Sequence, residues 1–145
     1  MQISPKSLVL IAVQLAGITY LLISGPWLVG LRWVWLETVG LGLGAWAVWT
    51  FKLRNLHITP DPARDAQLVT HGPYRFIRHP MYAAVLLISL AWLLDRPTLA
   101  RLIVWLVLAA DLIAKLRYEE HLLQQRFSNY GEYQRKTKRL LPFVF

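Results

Sequence analysis

Between Lys6 and Arg32 the chain runs for 25 residues without a charged side chain, beginning SLVLIAVQLAGITYLLISG. About 20 apolar residues are enough to cross the hydrocarbon core of a bilayer, so this stretch is read as a transmembrane helix ending at Gly25 and Pro26. A cleaved signal peptide is the competing reading, but the stretch is long for one and no small-residue cleavage site precedes a soluble domain. Trp27, Trp33 and Trp35 gather at the turn that follows, where amphipathic rings favour the membrane interface. A hydrophobic fraction of 56% and a mean hydropathy of +0.40 agree with membrane residence for the whole 145-residue chain.

Three further apolar segments follow. The second runs from about Trp33 to Phe51, with Glu37 near its outer end and Lys52 and Arg54 beyond it. Gly40, Gly42 and Gly44 inside it resemble a nucleotide-binding glycine loop, but no strand precedes them. The spacing of Gly40 and Gly44 is the one that lets membrane helices approach closely, so packing is the preferred reading. Met81–Leu94 is the third segment, Asp95, Arg96 and Pro97 make a turn, and Leu99 to about Leu116 returns as the fourth. The expected fold is therefore all-α, an integral membrane bundle of about four transmembrane helices plus a cytoplasmic C-terminal helix. Residues 1–54 form a two-helix scaffold that offers a surface for homo-oligomer formation, and residues 55–145 form the working half. Gln14 and Tyr20 in the first helix are too isolated to assign.

The excess of base has an explanation in topology. Of 16 Lys and Arg, Lys6, five in residues 52–80 and seven after residue 114 fall on one side of a four-span arrangement, leaving Arg32, Arg96 and Arg101 on the other. The positive-inside rule then puts both termini and the central connection in the cytoplasm, and the net charge of +8 ceases to argue for nucleic acid. With no Cys, a disulfide scaffold, a thiolate-bound metal and a cysteine nucleophile are excluded. The four histidines, His57, His71, His79 and His121, show no i, i+4 pair, so no metal is expected. No Walker, GxSxG or HExxH pattern occurs.

Chemistry-bearing residues concentrate in two stretches. The central connection KLRNLHITPDPARDAQLVTHGPYRFIRHPMY is too long for a simple turn; Asp61 and Pro62 suit the start of a short helix reaching Leu68. Arg75, Arg78 and His79 then lie between Pro73 and Pro80, against a span. A basic collar touching lipid phosphates is the plain reading, whereas cations held in fixed shape by two prolines at membrane depth suit an anionic ligand. In the last quarter, Asp111, Lys115, Tyr118, Glu119 and Leu122 fall on one helical face, with Lys115 the nearest ion-pair partner for Asp111. Glu119 and Glu120 point about 100° apart, so at least one of them turns toward the basic connection.

The string THGPYRFIRHPMY, followed 36 residues further on by EEHLLQQRF and then by NYGEYQ and TKRLLP, resembles the isoprenylcysteine carboxyl methyltransferase family and the wider group of membrane phospholipid methyltransferases. The resemblance covers roughly residues 68–145. It implies an all-helical membrane enzyme that binds S-adenosylmethionine in a cytoplasmic-side pocket. His71, Gly72, Pro73, Tyr74, His79, Pro80 and Tyr82 match its first cofactor segment, and Glu119 and Glu120 its second. Arg78 matches the position suited to an anionic acceptor, with Arg75 and Arg117 as further substrate cations. Tyr130 and Tyr133 match the tyrosines that close the site, and Pro142 the terminal proline. The catalytic group so implied is Arg78, Glu119 and Tyr130. Two departures are Ala84, where the family commonly has Gly and where a methyl group could narrow the approach to the cofactor, and Ser128 in place of a second Gly.

Methyl transfer from a sulfonium calls for alignment and a tuned field more than for a strong acid or base. A carboxylate acceptor needs no general base; an amine would draft His79 or a glutamate. The apolar surroundings favour a lipid-like or lipid-anchored acceptor entering from the bilayer, with a lipid reductase on the same scaffold or a non-catalytic lipid-binding protein as the alternatives.

Overall fold

The computed structural model describes residues 4–25, 28–51 and 68–141. Pro26, Trp27, the Lys52–Arg54 stop, His57, the Asp61–Pro62 cap and Pro142 lie outside them. Among the described residues there are five α-helices, α1 (Pro5–Ile23), α2 (Val34–Phe51), α3 (Pro80–Asp95), α4 (Leu99–Arg126) and α5 (Tyr130–Lys136), with a 3-10 turn at Gly72–Arg75. The all-helical expectation is met. Of these, α1 and α2 are long and apolar enough to cross a membrane, while α3, at 16 residues, is apolar but shorter.

Local chemistry explains the helix starts. Ser4 accepts from the Ser7 amide at 3.1 Å with Pro5 in the first turn of α1, and Thr98 does the same for α4 through the Arg101 amide at 3.2 Å. Pro80 opens α3. The fourth apolar segment and the acidic stretch after it form one continuous 28-residue helix. At 1.5 Å per residue it is about 42 Å long, more than a hydrocarbon core is thick.

α2 packs on α3, and α1 on α4. The glycine spacing in α2 is used as a packing surface. A Cβ on Gly40 would sit 2.7 Å from Ile88 Cγ1 and 3.2 Å from the Ala84 carbonyl, and one on Gly44 would sit 3.3 Å from Ala84 Cβ, whereas Gly42 faces open space. Ala84, whose methyl group was expected to narrow the approach to the cofactor, is buried against α2. Three clusters form the core: Ile77, Ala83, Leu116 and Leu140 at one end, Leu21, Leu108 and Leu112 in the middle, and Val29, Leu36 and Ala91 at the other. Large apolar side chains such as Trp49, Val9 and Leu106 are left on the outside, as lipid-facing surfaces require.

Charges inside the apolar layer mostly find partners, in line with the cost of leaving them bare; among the described residues the exceptions are Arg101 Nε and Asp111 Oδ2. Glu37 accepts from Trp92 Nε1 at 2.9 Å. Arg101, 2% exposed, donates to Ser24 Oγ at 2.7 Å and to the Trp92 carbonyl at 2.6 Å. The expected Asp111–Lys115 ion pair is not formed. Lys115 instead donates across to Gln14 Oε1 of α1 at 2.7 Å, and Asp111 Oδ2 is buried without a hydrogen-bond partner.

Candidate active site

The turn leading into α3 is shaped by Gly72, whose φ of 60° favours glycine. A Cβ there would also collide with Thr50 of α2, 2.5 Å from its Oγ1. The 3-10 turn is thereby seated on the end of α2, Tyr74 is buried beside Phe51, and Arg78 and His79 emerge toward α4.

The C-terminal strap then crosses this segment. Residue 138 pairs in parallel with Ile77; the Arg78 amide donates to the Lys138 carbonyl at 2.7 Å and the His79 amide to the Arg139 carbonyl at 3.0 Å. Leu140 fills the core beside Ile77 and Leu116, while Arg139 reaches Glu120.

Glu120 sits at the centre of a charge cluster, its side chain 4% exposed. Oε1 accepts from Arg78 Nε at 2.7 Å and from His79 Nε2 at 3.3 Å, and Oε2 accepts from Arg139 Nε at 3.1 Å. Burial alone would raise its carboxyl, but the hydrogen bonds and positive charge of His79 and Arg78 outweigh burial and bring it down to about 2.

Glu119 is differently placed. Its side chain is 28% exposed, Oε2 accepts the Tyr82 hydroxyl proton at 2.9 Å and lies 3.7 Å from His79 Nδ1, and Oε1 has no donor among the described residues. The Tyr82 ring lies parallel to the His79 imidazole, centroids 5.4 Å apart.

Tyr130, 1% exposed, packs edge-on to Tyr133 at 5.8 Å, and the Tyr133 hydroxyl donates to the Tyr74 carbonyl at 2.6 Å. Burial pushes the phenols of Tyr74, Tyr130 and Tyr133 well up, so all three remain protonated donors at neutral pH.

The structure therefore brings together Gly72, Pro73, Tyr74, Arg78, His79, Pro80, Tyr82, Glu119, Glu120, Tyr130 and Tyr133. His71, Arg75 and Arg117 are exposed at the periphery. Arg75 lies over the Phe76 ring and on the rim of a polar hollow of about 320 Å³ that Tyr133 and Thr137 also line. Arg78 differs most from its expected duty. With its side chain 8% exposed, it gives Nε to Glu120 and Nη1 to the carbonyls of Gln134 and Thr137. It ties α5 and the strap to α4, and an acceptor anion would have to compete with those bonds. Sequence reasoning missed Arg139 and Thr137 and left Gln14 unassigned; for Arg139 the only signal was a basic residue just before the Leu-Leu-Pro at 140–142.

Beside the cluster lies an apolar cavity of about 510 Å³. Val39, Leu43 and Trp46 of α2, Ala83 and Leu87 of α3, and Leu140 of the strap are among its walls. Ile77 and Ala83 thus face this cavity while their neighbours Arg78 and Tyr82 belong to the charged cluster.

The chain is 35% identical over 81 residues to a nickel-cobalt-cadmium resistance protein of Alcaligenes xylosoxydans xylosoxydans, covering 54% of this chain and 38% of that one. It is 37% identical over 81 residues to a probable protein-S-isoprenylcysteine O-methyltransferase of Oryza sativa subsp. indica, covering 54% and 42%. To protein-S-isoprenylcysteine O-methyltransferase A of Arabidopsis thaliana it is 37% identical over 83 residues, covering 53% and 40%. The matched segment is thus well under half the length of each of these relatives. The family model of phospholipid methyltransferases matches residues 32–130, from before α2 to the start of α5. That span holds the arginine–histidine segment and the paired glutamates that fold against each other, and the chain belongs to the phospholipid methyltransferase family.

Proposed function

We propose that the protein is an S-adenosylmethionine-dependent methyltransferase of the membrane, acting on a lipid-like or prenylated acceptor, with carboxyl O-methylation favoured. One observation carries this reading: of two adjacent glutamates, one is neutralised by three basic side chains, and the other, its side chain part-exposed beside a Tyr–His stack, keeps an oxygen without a donor among the described residues. A pinned anion organises the site and an available one binds a cation.

S-Adenosylmethionine, when bound, supplies an electrophilic methyl group on a positively charged sulfur. Glu119 accepts hydrogen bonds from the donor's ammonium or ribose hydroxyls, Tyr82 fixes the direction of that carboxylate, and His79 is held by Glu120 as a polar edge of the pocket. Tyr133, on the rim of the polar hollow, offers an aromatic face suited to adenine or to the sulfonium, backed by the buried rings of Tyr74 and Tyr130. Arg78 and Arg139 neutralise Glu120, so that the local field is not doubly negative. Arg75, with Arg117 further out, supports an acceptor carboxylate from the cytoplasmic rim, and the apolar cavity supports its hydrocarbon chain. A carboxylate is already ionised and requires no proton acceptor.

In this proposal α3 and α4 join α1 and α2 as spans, giving four crossings, with both termini on the side of the basic majority. Residues 1–54 act as scaffold and homo-oligomer surface, and residues 55–145 carry the cofactor site. The description of the family match favours a second acceptor class, the amine of a phospholipid headgroup.

Binding of S-adenosylhomocysteine to the purified protein tests the class. Transfer of labelled methyl from S-adenosylmethionine to prenylcysteine, against transfer to phosphatidylethanolamine, tests the acceptor. Base-labile label on prenylcysteine is expected; base-stable label on the phospholipid would move the assignment to N-methylation. Absence of S-adenosylhomocysteine binding would sink the proposal.

A further inference from the structure

We infer that Gln14, in the first helix and outside the residues the family model matches, is a positioning residue for the methyl-donor site, acting through Lys115 and Tyr82 on Glu119. The inference rests on the reading of Glu119 as the donor's ligand.

Lys115 is 3% exposed. Its Nζ donates to Gln14 Oε1 at 2.7 Å and stands 5.5 Å from the centroid of the Tyr82 ring. That ring is stacked on His79, and its hydroxyl donates to Glu119 Oε2 at 2.9 Å. An unbroken series therefore runs from the α1 amide through ammonium, aromatic face and hydroxyl to the carboxylate, and each contact depends on direction. A glutamine within an apolar helix, far from the Lys6 at its start, is costly unless it has a partner, and here a partner is the cation beside the site.

Asp111 explains why the amide matters. It sits one turn before Lys115 on the same face of α4, with Oδ2 buried and unpartnered. Helical side chains lean toward the N-terminus, so a Lys115 that loses its acceptor on α1 has a carboxylate waiting in the direction away from Glu119. Gln14 holds the ammonium over Tyr82 against that pull. Without it, the ammonium loses one of the contacts that fix its place over the Tyr82 ring, and the hydroxyl holds Glu119 less firmly.

The test is calorimetric titration of S-adenosylhomocysteine into the full-length protein in detergent. Gln14→Leu, which keeps bulk, is expected to weaken binding about tenfold and to raise the KM for the methyl donor with kcat little changed. Gln14→Glu is expected to retain affinity, because its carboxylate also accepts from the ammonium. In a Lys115→Met background, Gln14→Leu is expected to add nothing. Leu21→Ala, which loosens α1 packing at a fully buried position, is expected to lower the melting temperature and leave affinity alone. Should Gln14→Leu not be recovered folded, Gln14→Met carries the same expectation. A folded leucine or methionine variant that binds as tightly as wild type overturns the inference, as do additive effects with Lys115→Met. Failure of the wild type itself to bind overturns the reading of the site and this inference with it.

Discussion

Arg78 and Glu120 stand 42 positions apart in sequence and meet at 2.7 Å, their side chains 8% and 4% exposed. The pair joins the turn before α3 to the middle of α4's polar extension. Because Arg78 also grips the α5 end through Gln134 and Thr137, one guanidinium fixes three parts of the chain. Breaking a buried pair from one side strands the other charge and costs about 3–5 kcal/mol.

The two glutamates should separate cleanly. Glu120→Gln is expected to lower the melting temperature by several degrees, because Arg78 and Arg139 lose their anion. Glu119→Gln should leave melting nearly unchanged and weaken S-adenosylhomocysteine binding by about tenfold or more, the cost of a charge-assisted hydrogen bond. Parallel thermal and calorimetric titrations decide it; equal behaviour of the two variants would refute the division.

Acid should act through Glu120. Its carboxyl titrates near 2 in the folded protein against an ordinary 4.5, so the folded state binds fewer protons than the unfolded state between those values. The stability it contributes is complete above pH 4.5 and is lost as pH falls toward 2, on the order of 3 kcal/mol. Melting temperatures measured from about pH 6 downward should fall more steeply for wild type than for Glu120→Gln. Parallel curves would contradict the assignment.

Ala84→Gly tests where that side chain acts. Buried against Gly44, it should cost about 1 kcal/mol through helix propensity and lost packing while leaving S-adenosylhomocysteine affinity unchanged. Tighter cofactor binding would return Ala84 to the pocket wall.

Filling the apolar cavity should separate acceptor from donor. Leu87→Trp is expected to reduce kcat/KM for a long-chain acceptor about tenfold or more, with S-adenosylhomocysteine binding and use of a truncated acceptor preserved. Equal loss with both acceptors would place the hydrocarbon chain elsewhere.

The helices were legible in the sequence because charge-free runs and glycine spacing report directly on burial in an apolar medium. The meeting of Arg78 and His79 with Glu119 and Glu120 was legible through the resemblance and through the 100° offset of adjacent glutamates. The choice between them was not, since it depends on Arg139 arriving along a strap whose path is set by backbone pairing at Ile77. The fate of Lys115 was misjudged for a related reason. Local spacing pointed to Asp111, but a neutral amide on another helix took the ammonium, and that contact spans 101 positions. Local pattern ranks partners within a helix and is blind to competitors brought by packing.

The strap carries a consequence for assembly. Its backbone pairing with the turn before α3 spans about sixty residues, and loop closure over such distances is slow and comes late. Glu120 acquires its last cation only when that closure is complete. Until the strap docks, the pocket stays unfinished and electrostatically unbalanced, so competence for chemistry should follow that docking rather than grow in as the helices pack.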